Sequence, residues 1–106
     1  FTKGYSTTIT IPAVDTTTAD AAHSLGGVPK LITVHAKCTS AINGYAVDDI
    51  VSLGDGDNET DAFNVIADAT NIKFRRDADI HLVRLDAAGH FAISSSNFQL
   101  VLSAYA

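Results

Sequence analysis

The stretch that decides the fold runs from His23 to Leu53 and reads HSLGGVPKLITVHAKCTSAINGYAVDDIVSL. A Gly-Gly-Val-Pro turn leads directly into the segment Leu31 to Cys38, in which the even-numbered side chains are apolar and polar side chains take the opposite face. A second turn at Asn43-Gly44 begins another apolar run, Tyr45 to Leu53. Turn residues and period-two alternation therefore both predict a β-hairpin or meander.

Similar short runs of apolar and β-branched residues occur on both sides of this stretch. The predicted strands are Thr8 to Ile11, Phe63 to Ala67, Ile72 to Phe74, Ile80 to Leu85, Phe91 to Ile93 and Gln99 to Tyr105. Residues 14 to 22 favour a further extended segment because they include three consecutive Thr residues, although Ala19 to Ala22 also suits one helical turn.

About seven or eight short strands, separated by turn residues at roughly ten-residue spacing, are typical of a β-sandwich or a small barrel. We predict an all-β fold, a compact antiparallel β-sandwich. Its predicted core comprises Ile32, Val34, Ala36, Ile72, Phe74, Leu100 and Leu102. The single cysteine, Cys38, lies on the apolar side of its strand and is predicted to be a buried thiol.

Length and charge restrict the function classes. The 106 residues fit one domain, 1–106 with a lead segment at 1–6, which can bury roughly 60 to 70 per cent of its unfolded surface. No apolar run approaches the ~18 residues of a membrane helix, so we expect no membrane insertion. A net charge of −5 disfavours nucleic acid as a partner, because phosphate binding requires clustered Lys and Arg.

One dense carboxylate cluster, Asp55 to Asp61, places oxygen ligands at alternate positions, as calcium requires. The spacing then departs from an EF-hand loop, because Thr60 stands where Gly is needed and Ile66 where a bidentate Glu is needed. A solvated hairpin loop is the favoured interpretation. If the loop binds a metal ion instead, Asp55, Asp57 and Asp61 are the candidate ligands.

No motif indicates catalysis. The sequence has no Gly-x-Ser-x-Gly turn, no helix-associated phosphate loop and no His-x-His or His-x-x-x-His pair, so we expect neither an enzyme nor a cofactor. His23 precedes a turn, where its ring is predicted to bond a backbone group. A second hypothesis concerns outward basic side chains, which would form one modestly basic face if their strands were neighbours: His35, Lys37, Lys73, Arg75 and Arg84.

Two phrases of the sequence, His-x-Leu-Gly-x-x-Pro from His23 and Gly-Tyr-x-Val-x-Asp from Gly44, resemble the small C-terminal domains of bacteriophage tail proteins. The similarity continues in 68–74 and 98–106. The domains that the sequence resembles are tail-fibre or virion β-sandwich domains, which are similar to H-type lectins. Where such domains usually have Gly between the Val and the Asp, this chain has Asp48, which predicts a different turn.

This resemblance implies a homotrimer on the virion surface, in contact with other virion proteins and with a host-surface glycan. An alternative is a purely structural capsid decoration or head-fibre protein without receptor binding. Because the chain has no Trp, sugar stacking would depend on Tyr. The candidate ligand-binding residues are Tyr45, Asn43, Asp48, Arg84, Asn97 and Tyr105. Val101 and Tyr105 are the candidate intersubunit contacts.

Overall fold

The computed structural model describes residues 3–53 and 62–106, which form ten short strands and no helix. The strands are β1 (Gly4–Ile9), β2 (Thr16–Thr17), β3 (Ala21–Ala22), β4 (Leu31–Cys38), β5 (Ile50–Ser52), β6 (Phe63–Ala67), β7 (Asn71–Arg76), β8 (His81–Val83), β9 (His90–Ala92) and β10 (Phe98–Tyr105). The all-β prediction is confirmed. The strand number was underestimated, because residues 14 to 22 supply two very short strands.

The largest sheet, sheet A, has the order β1-β10-β4-β5 with antiparallel neighbours. Its two central strands each have eight residues and pair along their whole length, from Phe98 opposite Cys38 to Tyr105 opposite Leu31. Both strands alternate between buried and more exposed side chains along most of their length, since one face of the sheet covers the core.

Sheet B is built on β7. Strand β6 pairs with one edge of β7 through the turn at 68–71, and β2 and β3 pair in succession with the other edge. The predicted strands Phe63 to Ala67 and Ile72 to Phe74 are therefore confirmed, and they form a hairpin. A third, two-stranded sheet C consists of the β8–β9 hairpin, extended by a bond from the Ile93 amide to the Ile80 carbonyl (2.8 Å).

One hydrophobic core joins the sheets in a sandwich-like arrangement. Six of the seven predicted core residues are buried, and Ile32 is partly buried against the same cluster. Cys38 is fully buried, as predicted, and its thiol donates a hydrogen bond to the Ser40 carbonyl (3.3 Å). The core also contains aromatic rings that alternation did not assign, namely Phe63, Phe98 and Tyr45.

The predicted extended run from Tyr45 to Leu53 is only partly a strand, since β5 covers Ile50–Ser52 alone. Residues 42 to 49 instead form tight turns. Gly44 has a φ of +94° and Asp48 a φ of +76°, and both values break a strand. Asp48 thus has a left-handed backbone conformation, at the position where the domains that the sequence resembles usually have Gly.

Candidate functional site

Three connections meet at one end of the molecule: residues 39–49 between β4 and β5, 84–89 between β8 and β9, and 93–97 between β9 and β10. We call this surface the loop end. Backbone hydrogen bonds join it, from the Leu85 amide to the Asn43 carbonyl (2.9 Å) and from the Thr39 amide to the Asn97 carbonyl (2.7 Å). The Asn97 side-chain amide also donates to the Ser40 carbonyl (3.0 Å). The structure thus brings the connections that carry Asn43, Arg84 and Asn97 together.

Tyr45 lies beneath this surface rather than on it. Its side chain is 8% exposed, its ring packs against Phe91 and Phe98, and its hydroxyl donates to the Val83 carbonyl at 2.7 Å. The prediction of Tyr45 as a sugar-stacking platform is therefore wrong, because a ring held in the core has no free face for a ligand. Burial raises the pKa of Tyr45 above its usual value of 10.0, and the negative charge of the nearby Asp49 carboxylate makes a smaller contribution in the same direction.

The charged candidates at the loop end take part in exposed ion pairs. Asp48 lies 3.7 Å from the Lys37 ammonium, and Arg84 donates to the Asp86 carboxylate at 3.1 Å. That hydrogen bond from Arg84, reinforced by its charge, lowers the pKa of Asp86. Exposed pairs of this kind contribute little to stability, so these side chains remain available for exchange with an incoming polar ligand.

Tyr105 does not belong to the loop end. It closes β10 at the opposite end from Asn97, about 25 Å away at the usual rise of an extended strand. Its ring lies over Gly4, where an added Cβ would come 3.3 Å from two ring carbons. No single site therefore contains all six predicted binding residues.

The face of sheet A that points away from the core forms a second candidate surface, which we call the outer face. The cross-strand register places Ser6, Ser103 and Thr33 in one row, with the Ser6 and Ser103 hydroxyls 2.9 Å apart. Neighbouring rows add the other members: Gly4, Tyr105 and Leu31 on one side, and Thr8, Val101 and His35 on the other. None of these nine residues is Asp, Glu, Lys or Arg, and the next row of the same face, Gln99 opposite Lys37, brings a cation to the border of this patch.

His23 has the structural role predicted for it. The ring is 2% exposed, with Nε2 2.8 Å from the Asp68 carbonyl oxygen and Nδ1 accepting a hydrogen bond from the Leu25 amide (3.1 Å). The Asp68 carboxylate in turn accepts bonds from the Thr70 and Asn71 amides, which lower its pKa. An open depression of about 550 Å³ lies alongside, lined by Ala22, Ser24, Gly26, Gly27, Ala69 and Thr70.

The hypothesis of one basic face is wrong. His35 and Lys37 belong to sheet A, Lys73 and Arg75 to sheet B, and Arg84 follows sheet C. The Lys and Arg side chains are also neutralised locally, since each of the four lies within 4 Å of an aspartate. The hypothesis required these strands to be neighbours, and they belong to different sheets.

Within residues 3–53 and 62–106, no group of three or more His, Cys, Asp or Glu side chains is arranged to hold a metal ion. The candidates Asp55, Asp57 and Asp61 lie outside the described residues. No helix in the described part of the chain is long and apolar enough to cross a membrane.

Comparison of the chain with protein-family models, with curated proteins and with solved structures found no match.

The outer face was missed as a unit by sequence reasoning, although Val101 and Tyr105 were singled out from it. The available signal was the absence of charge at alternate positions of β10, namely Gln99, Val101, Ser103 and Tyr105. This pattern identifies a surface only when the neighbours of β10 are known, because β1 and β4 supply the residues on either side of it.

Proposed function

We propose that this domain is a structural module of a bacteriophage tail fibre or spike, and that it associates into a homotrimer through the outer face of sheet A. The observation that carries the proposal is a patch of that face, bordered by Lys37: nine residues on three strands without a formal charge, in a chain with 19 charged residues among 106. Protein interfaces are depleted of charge at their centre in the same way.

Charge distribution supports a second copy of the chain as the partner. Each chain has a net charge of −5, so copies repel unless the contacting surfaces are neutral. On the outer face, the exposed Ser6 and Thr8 hydroxyls and the apolar Val101, Leu31 and Tyr105 offer hydrogen bonds and packing without this repulsion, whereas Ser103 is only 3% exposed. Within the row, the Thr33 hydroxyl oxygen is already buried in the single chain and has no hydrogen-bond partner among the described residues, so the contacts with a second copy fall to its more exposed neighbours.

Aromatic burial favours a structural role over a primary role in sugar binding. Tyr45 and four of the five phenylalanines, at 63, 74, 91 and 98, pack within or against the core, and the chain has no Trp. Exposed aromatic rings are the usual platforms for sugars. The loop end therefore supports only a second candidate function, host-surface attachment by the polar side chains Asn43, Asp48, Arg84 and Asn97 on loops fixed by hydrogen bonds.

Sedimentation equilibrium at micromolar concentration tests the proposal. We expect about three times the 11.1 kDa mass of the chain for the wild type. Val101→Lys places a charge on the outer face and should give the monomer with an unchanged circular dichroism spectrum. Ile66→Lys, on exposed β6 of sheet B, is the matched control and should remain trimeric. A wild-type protein that sediments only as a monomer would contradict the proposal.

Attachment is tested separately, with the fluorescent wild-type oligomer on bacterial cells and on a glycan array. Arg84→Ala removes a loop-end cation without touching the outer face. If the oligomer adheres and this variant does not, attachment is a function of the loop end. If the intact oligomer adheres to no cell or glycan, the structural role alone remains.

A further inference from the structure

The β8–β9 hairpin brings two histidines together. Cross-strand register places His81 opposite Ala92 and Val83 opposite His90, so the two imidazoles are diagonal neighbours on the same face of the hairpin. Leu82 and Phe91 occupy the other face and pack into or against the core. The rings of His81 and His90 are 5.2 Å apart between centroids, with an interplanar angle of 76°.

We propose that His81 and His90 form a two-histidine site for a divalent transition metal ion, with Zn²⁺, Ni²⁺ and Cu²⁺ as the class of ligand. Imidazole nitrogen is a preferred donor for these ions. With a Zn–N bond of about 2.0 to 2.1 Å and tetrahedral geometry, two bound imidazoles have centroids roughly 5 Å apart, the spacing found here. The χ2 torsion of histidine is broad, so the exposed His90 ring can turn a nitrogen toward a point that it shares with His81.

The site is accessible and is held on a rigid element. His90 is exposed and His81 is half-buried, so a hydrated ion can reach both rings. The hairpin is fixed from below by its buried face and from the side by the Tyr45 hydroxyl on the Val83 carbonyl. Two protein ligands leave further coordination positions for water or for a carboxylate from another molecule.

Because two positioned rings chelate one ion, the second Ni–N contact forms at a high effective concentration. Titration calorimetry of the full chain with NiCl₂ at pH 7.5 should give one ion per chain. His81→Gln and His90→Gln should each weaken binding at least tenfold. His35→Gln, which alters a histidine on another sheet, should leave the affinity unchanged. Substoichiometric Cu²⁺ should broaden the amide resonances of residues 81–83 and 90–92 before others.

Three results would overturn the proposal: no heat of binding at millimolar Ni²⁺, equal affinity in the wild type and both hairpin variants, or loss of binding in His35→Gln alone. If His81→Gln does not fold, His90→Gln decides, because its side chain is exposed. The mass of the oligomer is measured with and without metal. The trimer proposal is therefore tested independently, even if the histidine pair binds no metal.

Discussion

The Tyr45 hydroxyl donates a hydrogen bond to the Val83 carbonyl at 2.7 Å, and this contact ties the β4–β5 connection to the β8–β9 hairpin. The ring between them packs against Phe91 and Phe98, so a single side chain joins the loop end to the core. The polar surface of Asn43 and Arg84 is therefore supported by Tyr45 from beneath.

Tyr45→Phe keeps the ring and removes the hydroxyl. We expect a loss of about 1 kcal/mol in the free energy of unfolding, the usual net value of one hydrogen bond. Tyr5→Phe is the matched control, since Tyr5 is half-buried and no hydrogen bond of its hydroxyl is found among the described residues. Urea denaturation followed by circular dichroism measures both. Equal stabilities of the two variants would show that the bond to Val83 contributes nothing.

Alkaline pH should act on the same contact. Burial, then the Asp49 charge, raises the pKa of Tyr45 in the folded state, so the folded protein favours the neutral phenol. The stability that the neutral Tyr45 phenol contributes is complete below the pKa of Tyr in the unfolded chain, near 10.0. It is lost as pH rises through the higher pKa of Tyr45 in the folded protein. Urea denaturation from pH 8 to 11 should therefore show a steeper loss for the wild type than for Tyr45→Phe. Parallel profiles would contradict this account.

The central strands of sheet A were predictable because their pattern is local. In β4 and β10 alternate residues are apolar over eight positions, and the same alternation decides which face is buried. His23 was predictable for a similar reason, since its partners are backbone groups of the turns beside it and opposite it. Both inferences needed only period and turn chemistry.

Tyr45 and the basic residues were misplaced because the deciding information is not local. Alternation across residues 45 to 53 assumes a continuous strand, whereas Gly44 and Asp48 turn the chain and direct the Tyr45 ring into the core. The basic side chains of β4 and β7 follow the expected faces, but those strands belong to different sheets. Strand pairing between distant segments leaves little trace in a single sequence.

Gly44 should tolerate no side chain. An added Cβ would lie 2.7 Å from the Leu85 Cβ and 3.0 Å from the Asp86 amide nitrogen, at a φ of +94°. Gly89 has a similar φ of +104° but open space around it. We expect Gly44→Ala to cost roughly 2 to 5 kcal/mol and Gly89→Ala roughly 1 to 2, the backbone term alone. Similar thermal stabilities of the two variants would show that the contact with Leu85 yields without cost.

The hydrogen bonds of His23 assign its tautomer. Since Nδ1 accepts from the Leu25 amide, the proton must be on Nε2, which then donates to the Asp68 carbonyl. Long-range ¹H–¹⁵N spectra at neutral pH should show this Nε2-protonated form. His23→Ala leaves both backbone groups without a partner in a buried site and should cost roughly 2 to 4 kcal/mol. His90→Ala, from an exposed ring outside the outer face, should cost less than about 1 kcal/mol. An Nδ1-protonated ring, or equal losses from the two substitutions, would refute the assignment.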